Sequence, residues 1–175
     1  MTKRLSILYL TVFLALSSTC YSQKQYIGQK LPDFKMTNLT GDTISYSNYD
    51  GNPLVLNFWF TACLPCVLEI PELNEIKSQK DYSHIKFVAV TFDNRDKVLN
   101  FLNKKEFKFD HLINAKEYCE KFTTSYPINV FVDRNGIVTD VLDGMPIIME
   151  EGQDEFTGKE KVNSTEFIKA LERIK

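Results

Sequence analysis

The chain predicts an α/β fold: a mixed central sheet flanked by helices, with an N-terminal β-hairpin added to it. Three observations carry this. Apolar runs of strand length at 54–60, 85–92 and 128–132 alternate with stretches of helical periodicity. The first run is followed by a helix-like stretch and then by the second, and the right-handed crossover of such a unit makes the two strands parallel. The third run ends in Arg134-Asn135-Gly136, a tight turn from which residues 137–142 return as an antiparallel partner.

The elements follow in order. Leu31-Pro32-Asp33-Phe34 and residues 38–44 read as two short strands around a glycine-containing turn, the N-terminal hairpin. Asp50-Gly51-Asn52-Pro53 punctuates, and the first buried strand begins at Leu54. A helix starts near Cys63; Pro65 is tolerated in its first turn, whereas Pro71, deeper in, should kink it. Residues 95–107 carry Val98, Leu99, Phe101 and Leu102 at helical spacing. In 115–122, Ala115, Tyr118, Cys119 and Phe122 stand at i, i+3, i+4 and i+7, one apolar helix face. Residues 144–161 are polar and read as loop with at most a short edge strand. A last helix spans 165–174, with Asn163 as its cap and Glu166 completing a capping-box pattern. Strand, helix, strand, helix, hairpin, helix is the order of the thioredoxin fold.

The N-terminus reads as an export signal. Lys3 and Arg4 precede an apolar block at 5–16, shorter than the roughly 20 residues a membrane span needs, and small and polar residues follow. Cleavage is expected before Gln23, giving a signal peptide at 1–22 and a single domain at 23–175, outside the cytoplasm or in a periplasm. The rival reading is a lipoprotein acylated at Cys20, although Ser17 and Thr19 make a poor lipobox. Losing Lys3 and Arg4 leaves 19 of the 21 basic residues against 23 acidic ones, a net charge of −4. With no basic stripe, nucleic acid is not the expected partner. The mature cysteines are Cys63, Cys66 and Cys119, too few for a disulfide scaffold and best counted as one pair and one single.

Cys63-Leu64-Pro65-Cys66 is the chemically informative motif. A buried strand delivers the pair to the first turn of a helix, where unpaired N–H groups and the helix dipole favour a thiolate. A thiolate attacks disulfides, and a second cysteine three residues on can close on the first. A C-x-x-C beside a strand–helix–strand unit independently suggests the thioredoxin fold. Cys63, at the helix start and nearer solvent, is the expected attacking thiol; Cys66 is the expected resolving thiol. Half of a zinc site is the competing reading, but Cys119, His84 and His111 supply no paired ligand spacing. No metal or cofactor is expected.

These residues resemble the TlpA/ResA-like family of exported thioredoxin-fold proteins. The resemblance runs from Ile27 through the last helix and is most specific at Asn57-Phe58-Trp59, at the cysteine motif with Glu69 and Pro71, and at Tyr126-Pro127 before Asn129-Val130-Phe131-Val132-Asp133. It implies reduction or exchange of disulfides in extracytoplasmic proteins, often during cytochrome c maturation; because no basic residue stands between the cysteines and Glu69 nearby would oppose the thiolate, a reductant fed by a membrane-linked donor is expected. It also implies that Glu69 lies near the thiols and influences their protons, that Pro127 is a cis proline, and that Tyr126 lines the substrate groove. Asn57, where thioredoxin carries a buried acid, is read as a hydrogen-bonded core amide. Cys119 is read as a buried free thiol packing as a small hydrophobe. Where the family commonly has Trp before the first cysteine, this chain has Ala62, so no aromatic ring is supplied there.

Two other functions compete. A thiol peroxidase of the peroxiredoxin group would need a Pro-x-x-x-Thr-x-x-Cys frame, but Leu56 and Phe60 occupy the Pro and Thr positions. A copper chaperone resembling the Sco proteins would need cysteines four apart and a downstream histidine; here the spacing is three.

Overall fold

The first buried strand, β3 (Leu54–Phe58), lies near the middle of a seven-stranded sheet ordered β2-β1-β5-β4-β3-β6-β7. The computed structural model describes residues 23–149, 157 and 160–175, so the leader expected at 1–22, Cys20 included, lies outside the described residues. The other strands of this sheet are β1 (Lys35–Asn38), β2 (Thr43–Ser45), β4 (Lys86–Val90), β5 (Asp110–Ile113), β6 (Ile128–Val132) and β7 (Val138–Asp143). The helices are α1 (Leu64–Ser78), α2 (Arg95–Leu102), α3 (Lys116–Phe122) and α4 (Thr165–Ile174). β3 pairs parallel with β4 and antiparallel with β6, as the crossover and the hairpin require. None of the described helices is long and apolar enough to cross a membrane.

Strand parity divides the core. Leu54, Leu56 and Phe58 of β3 join Val88, Val90, Ile128 and Val130 on one face, covered by Tyr118, Cys119 and Phe122 of α3. Val55 and Trp59 point the other way, with Phe87, Ala89 and Phe131, and are covered by Ile70, Leu73 and Ile76 of α1 and Phe167, Ala170, Leu171 and Ile174 of α4. Because successive strand residues alternate faces, Asn57 and its antiparallel partner Asn129 fall on the α1 side.

Several expectations are corrected. Leu31-Pro32-Asp33-Phe34 is not a strand: Pro32 has no N–H to donate, and next to the isolated bridge between Lys30 and Ile137 the Leu31 N–H donates to the Gly136 carbonyl at 2.9 Å. The hairpin starts later, at β1, and its turn is closed by Asn38 Oδ1, which accepts from the N–H groups of Thr40 and Asp42 at 3.0 and 2.8 Å. The hairpin also joins the main sheet, because β1 pairs antiparallel with β5. β5 itself was not anticipated: its buried residues, His111, Leu112 and Ile113, make too short a run to announce a strand. α2 ends at Leu102 rather than 107, and Phe107 instead enters the core from the following loop. Within 144–161, read as loop with at most a short edge strand, the short strand β8 (Ile147–Ile148) forms and pairs with β9 (Lys161–Val162) in a ladder of its own. Ser164 rather than Asn163 is the N-cap of α4; Asn163 Oδ1 accepts from the Thr165 N–H at 3.0 Å, and Glu166 pairs with Lys169. α1 continues through Pro71 to Ser78.

Candidate active site

Cys63 is the N-cap residue of α1, with extended backbone torsions, and its sulfur accepts from the Cys66 N–H at 3.3 Å. The helix start therefore does for a sulfur what it does for a capping hydroxyl: it aims an otherwise unpaired N–H at it. Cys63 and Cys66 are joined by a disulfide, with their Cα atoms 5.3 Å apart. Exposure does not separate them as expected, since Cys63 is 4% and Cys66 2% accessible. What distinguishes Cys63 in this oxidised form is the backbone donor on its sulfur.

The loop before Cys63 is anchored by a residue outside the motif. Asp93, buried just beyond β4, accepts from both the N–H and the hydroxyl of Thr61 at 2.8 Å each. Lys97 approaches its other oxygen at 3.4 Å. The Cys63 N–H in turn donates to the Phe60 carbonyl at 3.1 Å. Sequence reading missed Asp93; the signal would have been an acid placed directly after a buried parallel strand, the end at which sites gather in α/β sheets.

Glu69, three residues beyond Cys66, is buried on α1, only 1% accessible. Burial pushes its carboxyl up to about 8, opposed by the backbone N–H of Met145 and by the Asn129 side chain. Met145 N–H donates to Oε1. Oε2 and Asn129 Nδ2 are both buried without a hydrogen-bond partner of normal geometry. Asn57, the core amide read from sequence, donates through Nδ2 to Asn129 Oδ1 at 2.9 Å. Asn129 and Gly144 were not singled out from sequence. Gly144 packs so tightly against Glu69 and Pro127 that a Cβ there would stand 2.7 Å from Oε1 and 2.7 Å from Pro127 Cγ.

The Tyr126–Pro127 peptide bond is cis. Tyr126 is half-buried and packs edge-on against Phe60, ring centroids 5.4 Å apart, and against Phe92 at 5.6 Å; Phe60 and Phe92 lie 5.1 Å apart. These three rings lie on the loop leading to the motif, just beyond the end of β4 and before Pro127, so aromatic surface is present despite Ala62. Leu64 and Phe92 are exposed apolar residues, 45% and 37% accessible. Cys119 is a free buried thiol on α3, outside the disulfide. Among the described residues, no group of three His, Cys, Asp or Glu side chains is arranged to hold a metal ion.

Comparison with known proteins adds the following. Residues 27–141 match the model of the AhpC/TSA family. The chain is 32% identical over 130 residues to the thioredoxin-like protein YneN of Bacillus subtilis, covering 69% of this chain and 75% of that one. It is 30% identical over 128 residues to the thiol-disulfide oxidoreductase ResA of Bacillus thuringiensis, covering 70% and 72%. Its fold matches that of a secreted Mycobacterium tuberculosis disulfide oxidoreductase homologous to Escherichia coli DsbE, with a TM-score of 0.60, 20% identity and coverage of 80% and 95%.

Proposed function

The chain belongs to the AhpC/TSA family, and we propose that it is a thiol–disulfide oxidoreductase that reduces disulfides of extracytoplasmic proteins through the Cys63/Cys66 dithiol. The observation that carries this is the placement of Cys63 as the cap of α1, its sulfur accepting the Cys66 N–H. In the reduced protein that donor and the helix dipole favour the Cys63 thiolate. The thiolate attacks one sulfur of a client disulfide, and a client thiolate leaves as the mixed disulfide forms. Cys66 then loses its proton to the Glu69 carboxylate and attacks the Cys63 sulfur. The Cys63–Cys66 bond forms, the bond to the client breaks, and the second client sulfur leaves and takes up a proton. Two electrons have passed from the dithiol to the client.

Direction follows from charge. The motif has no basic residue between its cysteines. Glu69, one turn beyond Cys66 and held up to about 8 by burial, adds no positive charge, and where it ionises it opposes thiolate formation. The strong oxidants of this fold, near about −120 mV against about −270 mV for thioredoxin, are those whose reduced form is stabilised. This protein is therefore a reductant that receives electrons from a membrane-linked donor. Tyr126, Pro127 and the rings of Phe60 and Phe92 form the client-binding edge beside the motif. Export with cleavage before Gln23 fits the leader sequence and the secreted relative of the same fold; Cys20 acylation would give a lipid-anchored form instead, and the mass of the mature N-terminus separates the two.

The test is trapping. Cys66→Ser should attack client disulfides and accumulate mixed disulfides, whereas Cys63→Ser should be inert; equal trapping by both would overturn the assignment. Peroxide consumption and copper titration of the reduced protein test the peroxidase and chaperone alternatives.

A further inference from the structure

Two asparagines at the centre of an apolar sheet call for a reason. Asn57 and Asn129 are directly paired across β3 and β6, are 2% and 0% accessible, and point to the face that α1 covers. Burying a polar group without its full complement of hydrogen bonds costs free energy, and two apolar residues would fill the same space without that cost. The pair makes one bond, Asn57 Nδ2 to Asn129 Oδ1 at 2.9 Å. That bond occupies the Asn129 carbonyl, which leaves Asn129 Nδ2 as a buried donor with no partner. On the same side of the sheet lies a buried acceptor with no partner, Glu69 Oε2. The other carboxylate oxygen is held by the Met145 N–H.

We propose that Asn57 and Asn129 are positioning residues for the Glu69 proton: Asn57 fixes the orientation of the Asn129 amide so that a donor, not an acceptor, faces the carboxyl. An N–H aimed at Oε2 favours the ionised form, the only form that can take the Cys66 proton in the resolving step. Glu69 would otherwise stay protonated in this apolar setting, where its environment already holds it up to about 8. No charged side chain among the described residues contributes to that shift; its causes are burial, the Met145 N–H and the Asn129 side chain. Cys63 and Cys66, once reduced, are the titratable neighbours on its own helix. Neutral donors are thus the levers available to this acid, and the amide pair is one of two.

This inference rests on the proposed role of Glu69, and the experiment separates the two. The rate at which Cys66 resolves a preformed mixed disulfide on Cys63 is followed against pH in the full protein and in Glu69→Gln, Asn129→Leu and Asn57→Leu. The wild type should show an acid limb that Glu69→Gln removes. Asn129→Leu loses the donor, and Asn57→Leu frees the Asn129 amide to turn its carbonyl toward the acid. Both should move the limb upward by about one pH unit, a roughly tenfold slower reaction on its acid side, and neither should alter the rate in a Glu69→Gln background. If Glu69→Gln keeps the limb, the role of Glu69 falls and this inference with it. If Glu69→Gln removes the limb but the asparagine variants leave it in place or lower it, the inference alone falls. Should either leucine variant fail to fold, the side-chain amide nitrogen of Asn129 in the wild-type protein decides: its NMR shift should titrate together with the Glu69 carboxyl, and an amide that stays still through that titration overturns the proposal.

Discussion

Gly144 and Glu69 meet without room for a single carbon between them. A Cβ on residue 144 would lie 2.7 Å from Glu69 Oε1 and, on its other side, 2.7 Å from Pro127 Cγ. The chain leaving β7 therefore presses on both the buried acid and the proline before β6, and the next residue, Met145, gives its N–H to the same oxygen. The first prediction follows. Gly144→Ala must displace the carboxylate or the proline ring, and overpacking of this kind costs about 1–3 kcal/mol. Thermal unfolding should show a loss of that size, and exchange with a protein disulfide should slow. Unchanged melting and exchange would mean the contact relaxes freely.

The pH dependence of stability has a definite sign. Glu69 has a folded pKa of about 8 against an ordinary value of 4.5. Below pH 4.5 both folded and unfolded forms hold the proton, so the group contributes nothing. Between 4.5 and 8 the folded form binds more protons, and stability falls as pH rises, by up to about 1.4 kcal/mol per unit. Above 8 the loss is constant. Glu69→Gln should flatten this slope in denaturant titrations of the oxidised protein. His111 acts oppositely: burial lowers its pKa, so it weakens the fold as pH drops below 6.5.

Cys119 should resist chemistry while the protein is folded. It is fully buried, and burial pushes its thiol up to about 12. After reduction, native alkylation followed by peptide mapping should find Cys63 labelled first and Cys119 labelled only in denaturant. Labelling of Cys119 at a rate comparable with Cys63 would contradict its placement.

Asp93→Ala should loosen the approach to the motif. It strips the Thr61 N–H and hydroxyl of their acceptor. Hydrogen bonds to a charged group contribute about 1.5–3 kcal/mol. A stability loss of at least that size is expected, together with faster amide exchange at Thr61. Asp93→Asn, which keeps an acceptor oxygen, should recover part of both.

Much was legible in local pattern. Strand β6 and helix α4 have the bounds their periodicity predicts, because a short run of mostly apolar residues and a repeating apolar face are each written in neighbouring residues. The cysteine pair was legible for the same reason: spacing, flanking strand and following helix are all local. Strand β5 was not, since a few apolar residues become a strand only when β1 and β4 offer their edges. The bounds of β1 and α2 shifted because a proline's missing donor and the core's demand for Phe107 override periodicity.

By itself, then, the sequence determined the order of the four helices and of β3, β4, β6 and β7, the parallel β3–β4 unit and the dithiol at a helix start. Each of these depends on residues close together along the chain. Tertiary structure decided the surroundings of that dithiol. Local pattern makes Glu69 a helix glutamate and the family resemblance sets it near the thiols, but only the packing of β6 and the chain after β7 against α1 makes it a buried acid with a raised pKa. Asn129, Gly144 and Asp93 stand 60, 75 and 24 positions from Glu69. Burial and hydrogen bonding at that range are set by which surfaces meet, and no local pattern records it.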